Sequence, residues 1–175
     1  MTYSPQFESI LAFILKWEGG DTVTHDPRDS GGVTKFGISQ KAYPELDIES
    51  LTLEQAKAIY KRDYYDNIWG DSLPYSIALV VTDFAVNAGL RRAVKALQRL
   101  VEVDVEPDGL FGIRTQTAVR KLDPDGLDRL VDSYTLARNT RYNELAQRSE
   151  SNQAFIRGWL NRSNAAARAA HKGLV

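Results

Sequence analysis

The chain has 175 residues, 43% hydrophobic and 26% charged, with a formal net charge of −1. That balance suits one good-sized core, or one core with a small appended module, and excludes a multi-domain assembly. Near-neutrality argues against strongly electrostatic binding to nucleic acid, and the absence of cysteine excludes a disulfide framework, a thiolate nucleophile and a cysteine-ligated metal.

Ser4 followed by Pro5 reads as an N-cap and first helical position, and Phe7, Ile10, Leu11, Ile14 and Trp17 recur at helical spacing. The pattern predicts a helix from about residue 5 to Glu18. Glu8 and Ser9 interrupt its apolar run and no basic leader precedes it, so neither a signal peptide nor a membrane span is expected. Gly19 and Gly20 then stop the helix and leave Glu18 at its C-terminal end. The unpaired carbonyls there disfavour an ionised carboxylate by roughly 0.3 to 1 kcal/mol, which favours the protonated form. Desolvation by Trp17 and the helix wall would raise the carboxyl pKa further, as a general acid working near neutrality requires. The plainer alternative is a solvated glutamate at a helix end.

A polar loop follows, carrying Asp21, His25, Asp26, Arg28 and Asp29, and a second glycine pair, Gly31 and Gly32, opens into Val33 to Ile38. Val, Thr and Phe in that last segment favour an extended strand. The acid spacing does not match a calcium loop with its central glycine and terminal glutamate, so no metal is assigned. His25 lacks a partner ligand, because the only other histidine is His171 in the C-terminal tail.

The run EGG followed by DPRDSGGVTKFGIS resembles the N-terminal signature of glycoside hydrolase family 108, muramidases of phage lysis proteins, prophages and some bacterial secretion loci. Glu18, Gly19, Gly20, Asp29, Gly31, Gly32, Thr34, Gly37, Ile38 and Ser39 fill that pattern. The resemblance implies a lysozyme-like fold, peptidoglycan as substrate and Glu18 as the catalytic acid. Phage-type lysozymes often order a helix-end Glu, an Asp and, about five residues on, a Thr. Glu18, Asp29 and Thr34 follow that order with a longer first gap. Asp29 or Thr34 is then a candidate for positioning the attacking water, with Asp26 competing, and the carboxyl separation would set the stereochemical outcome. Asp29 has an equally simple reading as an Asx-type turn residue before the glycine pair.

Thr52 and Gln55 form a capping box that opens a helix to about Tyr65, and Tyr64, Tyr65 and Trp69 follow closely. These aromatics are candidates for lining a glycan cleft by stacking on sugar C–H faces, although aromatics at helical spacing more often belong to a core. Pro74 starts a helix that is apolar all round and ends at Gly89, which predicts a central, buried element. Asp83 and Asn87 share one of its faces, either satisfying a buried network or reaching the cleft. A DFAVNAG-like segment belongs to the resemblance, and Asn87 is taken as substrate-binding.

From Arg91 the pattern changes to an amphipathic helix, a turn at Pro107-Asp108-Gly109 and a short helix near Thr115 to Leu122. This part resembles the peptidoglycan-binding region that accompanies the family, including a DG-x-x-G-x-x-T turn at Asp108, Gly109, Gly112 and Thr115. A long helix is expected from about Leu127 to Gln147, with Arg138, Arg141 and Arg148 on a polar face that is solvated or, as a second reading, touches acidic stem peptides. A final helix near Asn152 to Arg162 should give way to a tail that frays or continues loosely.

These readings converge on a mainly α-helical, lysozyme-like fold with a small β-hairpin after the first helix. Residues 1–90 form a catalytic region, and 91–175 a helical peptidoglycan-binding-like region packed into the same globule. The expected reaction is hydrolysis of the β-1,4 bond between N-acetylmuramic acid and N-acetylglucosamine, for lysis or wall remodelling. No cofactor, metal, nucleic-acid partner or stable membrane insertion is expected, and the protein is expected to be a monomer. A cytoplasmically made enzyme of this kind needs a holin or dedicated export to reach the wall. Two rivals stand beside it, a lytic transglycosylase and a non-catalytic wall-binding protein that has kept the fold.

Overall fold

The first helix, α1, spans Pro5–Trp17, with the Ser4 hydroxyl accepting from the Phe7 N–H as a side-chain cap. Phe7, Ile10, Leu11 and Ile14 are buried along one face, each burial stabilising the fold by about 2 kcal/mol. The computed structural model describes residues 2–25, 32–101 and 106–174.

Beyond α1 lies a small antiparallel sheet of three short strands, β1 (Thr24–His25), β2 (Val33–Lys35) and β3 (Ile38–Ser39), in that spatial order. Thr34 pairs with both Thr24 and Ser39, and Lys35 pairs with Ile38. The single extended segment expected over 33–38 is therefore a tight hairpin. Its two loop residues, Phe36 and Gly37, both have positive φ, 53° and 76°, the combination that matches the right-handed twist of paired strands. A phenylalanine is uncommon in the left-handed region. It is held there from both sides, since its N–H donates to the Gly20 carbonyl at 3.0 Å and its own carbonyl accepts from Tyr60 Oη at 2.7 Å.

Helix α2 (Leu53–Tyr60) opens with the expected capping box between Thr52 and Gln55. It does not continue as an α-helix to Tyr65. The chain widens into one π-helical turn, Lys61–Tyr65, followed by 3-10 turns at Asp66–Ile68 and Gly70–Ser72. The wider turn sets the Tyr65 ring in the core, 5.0 Å from the Phe7 ring and directly against Gly70, where a side chain would collide with it.

Helix α3 (Tyr75–Ala88) is the central element, buried continuously from Ile77 to Ala85 and ended by Gly89. It packs against α1, α4 (Leu90–Leu100), α6 (Pro124–Arg148) and α8 (Ile156–Lys172). The shorter α5 (Ile113–Arg120) and α7 (Glu150–Gln153) complete the helical set among the described residues. One apolar cluster runs from Phe7 to Ala170 and crosses residue 90 without a break. No helix among the described residues is long and apolar enough to cross a membrane.

Two expectations for the C-terminal half are corrected. Arg138 is not on a solvated face: its side chain is 2% exposed and paired with Asp83. The tail after Arg162 does not fray either, because α8 runs on to Lys172 and buries Ala166 and Ala170. Its alanines are the strongest helix formers, and His171 bonds to both Asp128 and Asp132 of α6.

The turn at Asp108-Gly109 is clamped by Gln98 of α4. The Gln98 amide nitrogen donates to Asp108 Oδ1 (2.9 Å) and the Leu110 carbonyl (3.1 Å), while its oxygen accepts from the Gly109 N–H (2.9 Å).

Candidate active site

Glu18 is the C-cap of α1, its N–H donating to the carbonyls of Ile14 and Leu15 at 3.2 Å. Gly19 and Gly20 follow at φ 83° and 61°. These left-handed residues reverse the chain so that the Gly20 carbonyl receives the Phe36 N–H and draws the hairpin onto the helix end. The hairpin turn then meets the acid. A Cβ added at Gly37 would lie 2.7 Å from Glu18 Cβ, 2.8 Å from Glu18 Oε2 and 2.7 Å from Tyr60 Oη. Only a glycine fits there.

On its other side, Glu18 Oε1 accepts from Arg162 Nη1 at 2.6 Å. The same guanidinium donates from Nε to Asp83 Oδ1 at 2.8 Å, and Asp83 Oδ2 accepts from Arg138 Nη1 at 2.6 Å. Arg138 Nε in turn donates to the Tyr142 hydroxyl at 2.8 Å, which donates to Asn87 Oδ1. The arginine charge of Arg138 also faces the Phe84 ring at 5.0 Å and the Tyr142 ring at 5.5 Å. Two carboxyl groups and two guanidiniums thus share one network. Asp83 is fully buried and Arg138 nearly so, while the Glu18 side chain keeps 20% of its surface exposed.

The pKa shifts around the acid follow from burial and this charge pattern. Burial works against the Arg162 charge, but Asp83 and Glu18 outweigh it and hold its pKa above the ordinary arginine value. Burial raises the Tyr60 phenol well above its usual range, with the Glu18 charge adding to it. Tyr64 moves the same way, through burial and then the charges of Asp63 and Glu18. Both phenols are therefore neutral neighbours of the carboxyl.

The side chains singled out in the sequence are not all in one place. Glu18 sits against the hairpin, and Tyr64 lies on the π turn, its ring 5.9 Å from that of Tyr60. Thr34 is partly exposed in the middle of β2, on the face opposite Val33, which packs on the core. Asn87 is one helical turn beyond Asp83, with its carbonyl oxygen engaged by Tyr142. Tyr65 is fully buried, hydrogen-bonded to Gln6 and Asp71 near the start of α1. Trp69, 42% exposed, pairs edge-on with Phe111 at 5.7 Å. Gln6, which bonds to Tyr65, stands near the far end of α1, roughly 18 Å from Glu18 at 1.5 Å per helical residue. Asp26 and Asp29 lie outside the described residues. Trp17 is 36% exposed and packs on Phe13.

Arg162, Gly37 in its packing role, and Tyr60 were not assigned to the site from sequence. A signal for the buried arginines was present. Tyr134, Arg138 and Tyr142 recur every four residues on α6, as Trp159, Arg162 and Ala166 do at three and four on α8, so both arginines ride on inward faces.

Residues 11–89 match the family model described as Glycosyl hydrolase 108, with Glu18, the sheet and α3 inside the matched span. The chain carries a family 108 glycosyl hydrolase domain. Residues 92–164 match a second model, described as Predicted Peptidoglycan domain, so Arg138 and Arg162 fall in that span. Among solved structures, one titled "Structure of Brucella abortus SagA" is similar at 29% identity and a TM-score of 0.78, over 95% of this chain and 94% of that one. No curated protein matches the chain. With a glycosyl hydrolase 108 domain followed by a peptidoglycan domain, the protein is a peptidoglycan hydrolase, a glycoside hydrolase of mainly helical, lysozyme-like fold.

Proposed function

We propose that this hydrolase is an N-acetylmuramidase that cuts the β-1,4 bond between N-acetylmuramic acid and N-acetylglucosamine, with Glu18 as general acid. The observation that carries the reading is the placement of Glu18. It is a partly exposed carboxyl fixed at a helix end, pinned by a guanidinium on one side and a side-chain-free turn on the other. Such a group can reach the departing glycosidic oxygen without searching for its orientation. Proton transfer to that oxygen develops oxocarbenium character at the muramyl carbon, which water then attacks. Thr34, Asp29 and Asp26 are the candidates for holding the water. Tyr64 is the candidate for stacking on the sugar, its ring 5.9 Å from that of Tyr60. The site of action is the cell wall, where the substrate lies.

The test is digestion of purified sacculi by wild-type protein and by Glu18→Gln, with mass spectrometry of the released fragments. Reducing N-acetylmuramic acid ends from the wild type, and no release by a folded Glu18→Gln variant, are expected. Anhydromuramyl ends would instead identify a lytic transglycosylase, in which the muramyl hydroxyl replaces water. Retention on sacculi with no soluble fragments would identify a wall-binding protein.

A further inference from the structure

We infer that Arg162 is a positioning residue for the general acid, and that it decides which oxygen of Glu18 carries the transferable proton. The inference rests on Glu18 being that acid. Arginine has only donors, so the oxygen facing Nη1 must be an acceptor. Oε1 fills that role at 2.6 Å. The proton of the neutral acid therefore sits on Oε2, which accepts no hydrogen bond from any described residue. Arg162 also holds one rotamer of the acid, because its own orientation is set by the second bond, Nε to Asp83 Oδ1. Asp83 is fixed from its other oxygen by Arg138. The chain of control runs from the buried core outward to the acid.

The arrangement has a consequence for the chemical step. Oε2 gives its proton to the glycosidic oxygen as the glycosidic bond breaks, and the electron pair of the O–H bond stays on Glu18. The carboxylate so formed carries a full charge 2.6 Å from a guanidinium. The contact is thus stronger after transfer than before, the condition under which an interaction raises kcat and leaves substrate binding alone. The charged and titratable neighbours are few among the described residues. Arg162 approaches from α8, with Asp83 behind it on α3, and Tyr60 and Tyr64 approach from α2 and the π turn as neutral phenols. Arg162 also comes from the span that matches the peptidoglycan domain, so that span supplies part of the hydrolytic site.

The experiment compares wild type, Arg162→Met, Arg162→Lys and Glu18→Gln on soluble uncrosslinked peptidoglycan, measuring kcat, KM and the pH profile of kcat/KM, with folding checked by circular dichroism. Arg162→Met is expected to lower kcat by about 100-fold, the cost of a misplaced catalytic group, with KM little changed. Removing the cation also moves the alkaline limb of its kcat/KM profile to higher pH, since the neutral acid then persists further. Arg162→Lys keeps a charge and so keeps the limb in place, but a point charge cannot hold both carboxylates as the planar fork does, and kcat still falls. A loss of packing alone would not move the limb. Folded Arg162→Met and Arg162→Lys proteins with wild-type kcat and profile, beside an inactive Glu18→Gln, overturn the inference and leave Glu18 as the acid. An active Glu18→Gln overturns both. If Arg162→Met does not fold, Arg162→Lys decides, because wild-type kcat in that variant is incompatible with the inference.

Discussion

Glu18 and Gly37 share one volume: the carboxylate of Glu18 lies where a side chain at position 37 would begin, 2.7 Å from its Cβ and 2.8 Å from its Oε2. The glycine is thus required twice, by its φ of 76° and by the acid packed over it.

Gly37→Ala should therefore damage activity beyond its effect on stability. The left-handed conformation costs an alanine about 1 to 2 kcal/mol. The displaced acid is expected to lose about 100-fold in kcat/KM. Steady-state kinetics beside a thermal melt separates the two, and a melt lowered with unchanged kinetics would contradict the packing argument.

Asp83→Asn should unfold the protein much more easily. The variant leaves Arg138 and Arg162 facing a neutral amide in the core, and breaking a buried pair from one side costs roughly 3 to 5 kcal/mol. Urea unfolding reads this directly. A loss under 1 kcal/mol would mean that water or another group replaces the carboxylate.

His171 makes stability depend on pH. Its bonds to Asp132 and Asp128 raise its pKa in the folded protein above the unfolded value of about 6.5. A raised folded pKa means that the contribution is complete below the unfolded pKa and disappears as pH rises through the folded one. The melting-temperature deficit of His171→Asn relative to wild type should then be larger at pH 5.5 than at pH 9. Equal deficits at both would show that the two aspartates do not act on the imidazole charge.

Gln98→Ala removes three hydrogen bonds that hold the Asp108-Gly109 turn, including one to a buried backbone N–H. A loss of about 1 to 3 kcal/mol is expected. Amide exchange at Gly109 and Leu110 should rise more than exchange in α3, and a uniform rise would point to global weakening instead.

The elements set by local chemistry were legible in the residues. Ser4-Pro5 started α1, the Thr52–Gln55 box started α2, Pro74 and Gly89 bracketed α3, and the motif around Glu18 pointed to the hydrolase family. Where sequence reading failed, the deciding interaction was distant. Lys61 to Tyr65 left α-helical pitch where Tyr65 packs against Phe7 and Gly70. Phe36 left the extended region where Tyr60 and Gly20 hold its two backbone groups.

By itself the sequence determined the helical class, the glycine pair that ends α1 and the position of Glu18 on that end, because each depends on residues within a turn or two of one another. Tertiary structure alone decided that Arg162, 144 positions away, would bond to Glu18, and that Arg138 would turn inward to Asp83. Helical periodicity shows which face is buried but not which buried face it meets. A charge in the core is settled by its partner, and the partner here is brought in by the packing of α3 against α6 and α8.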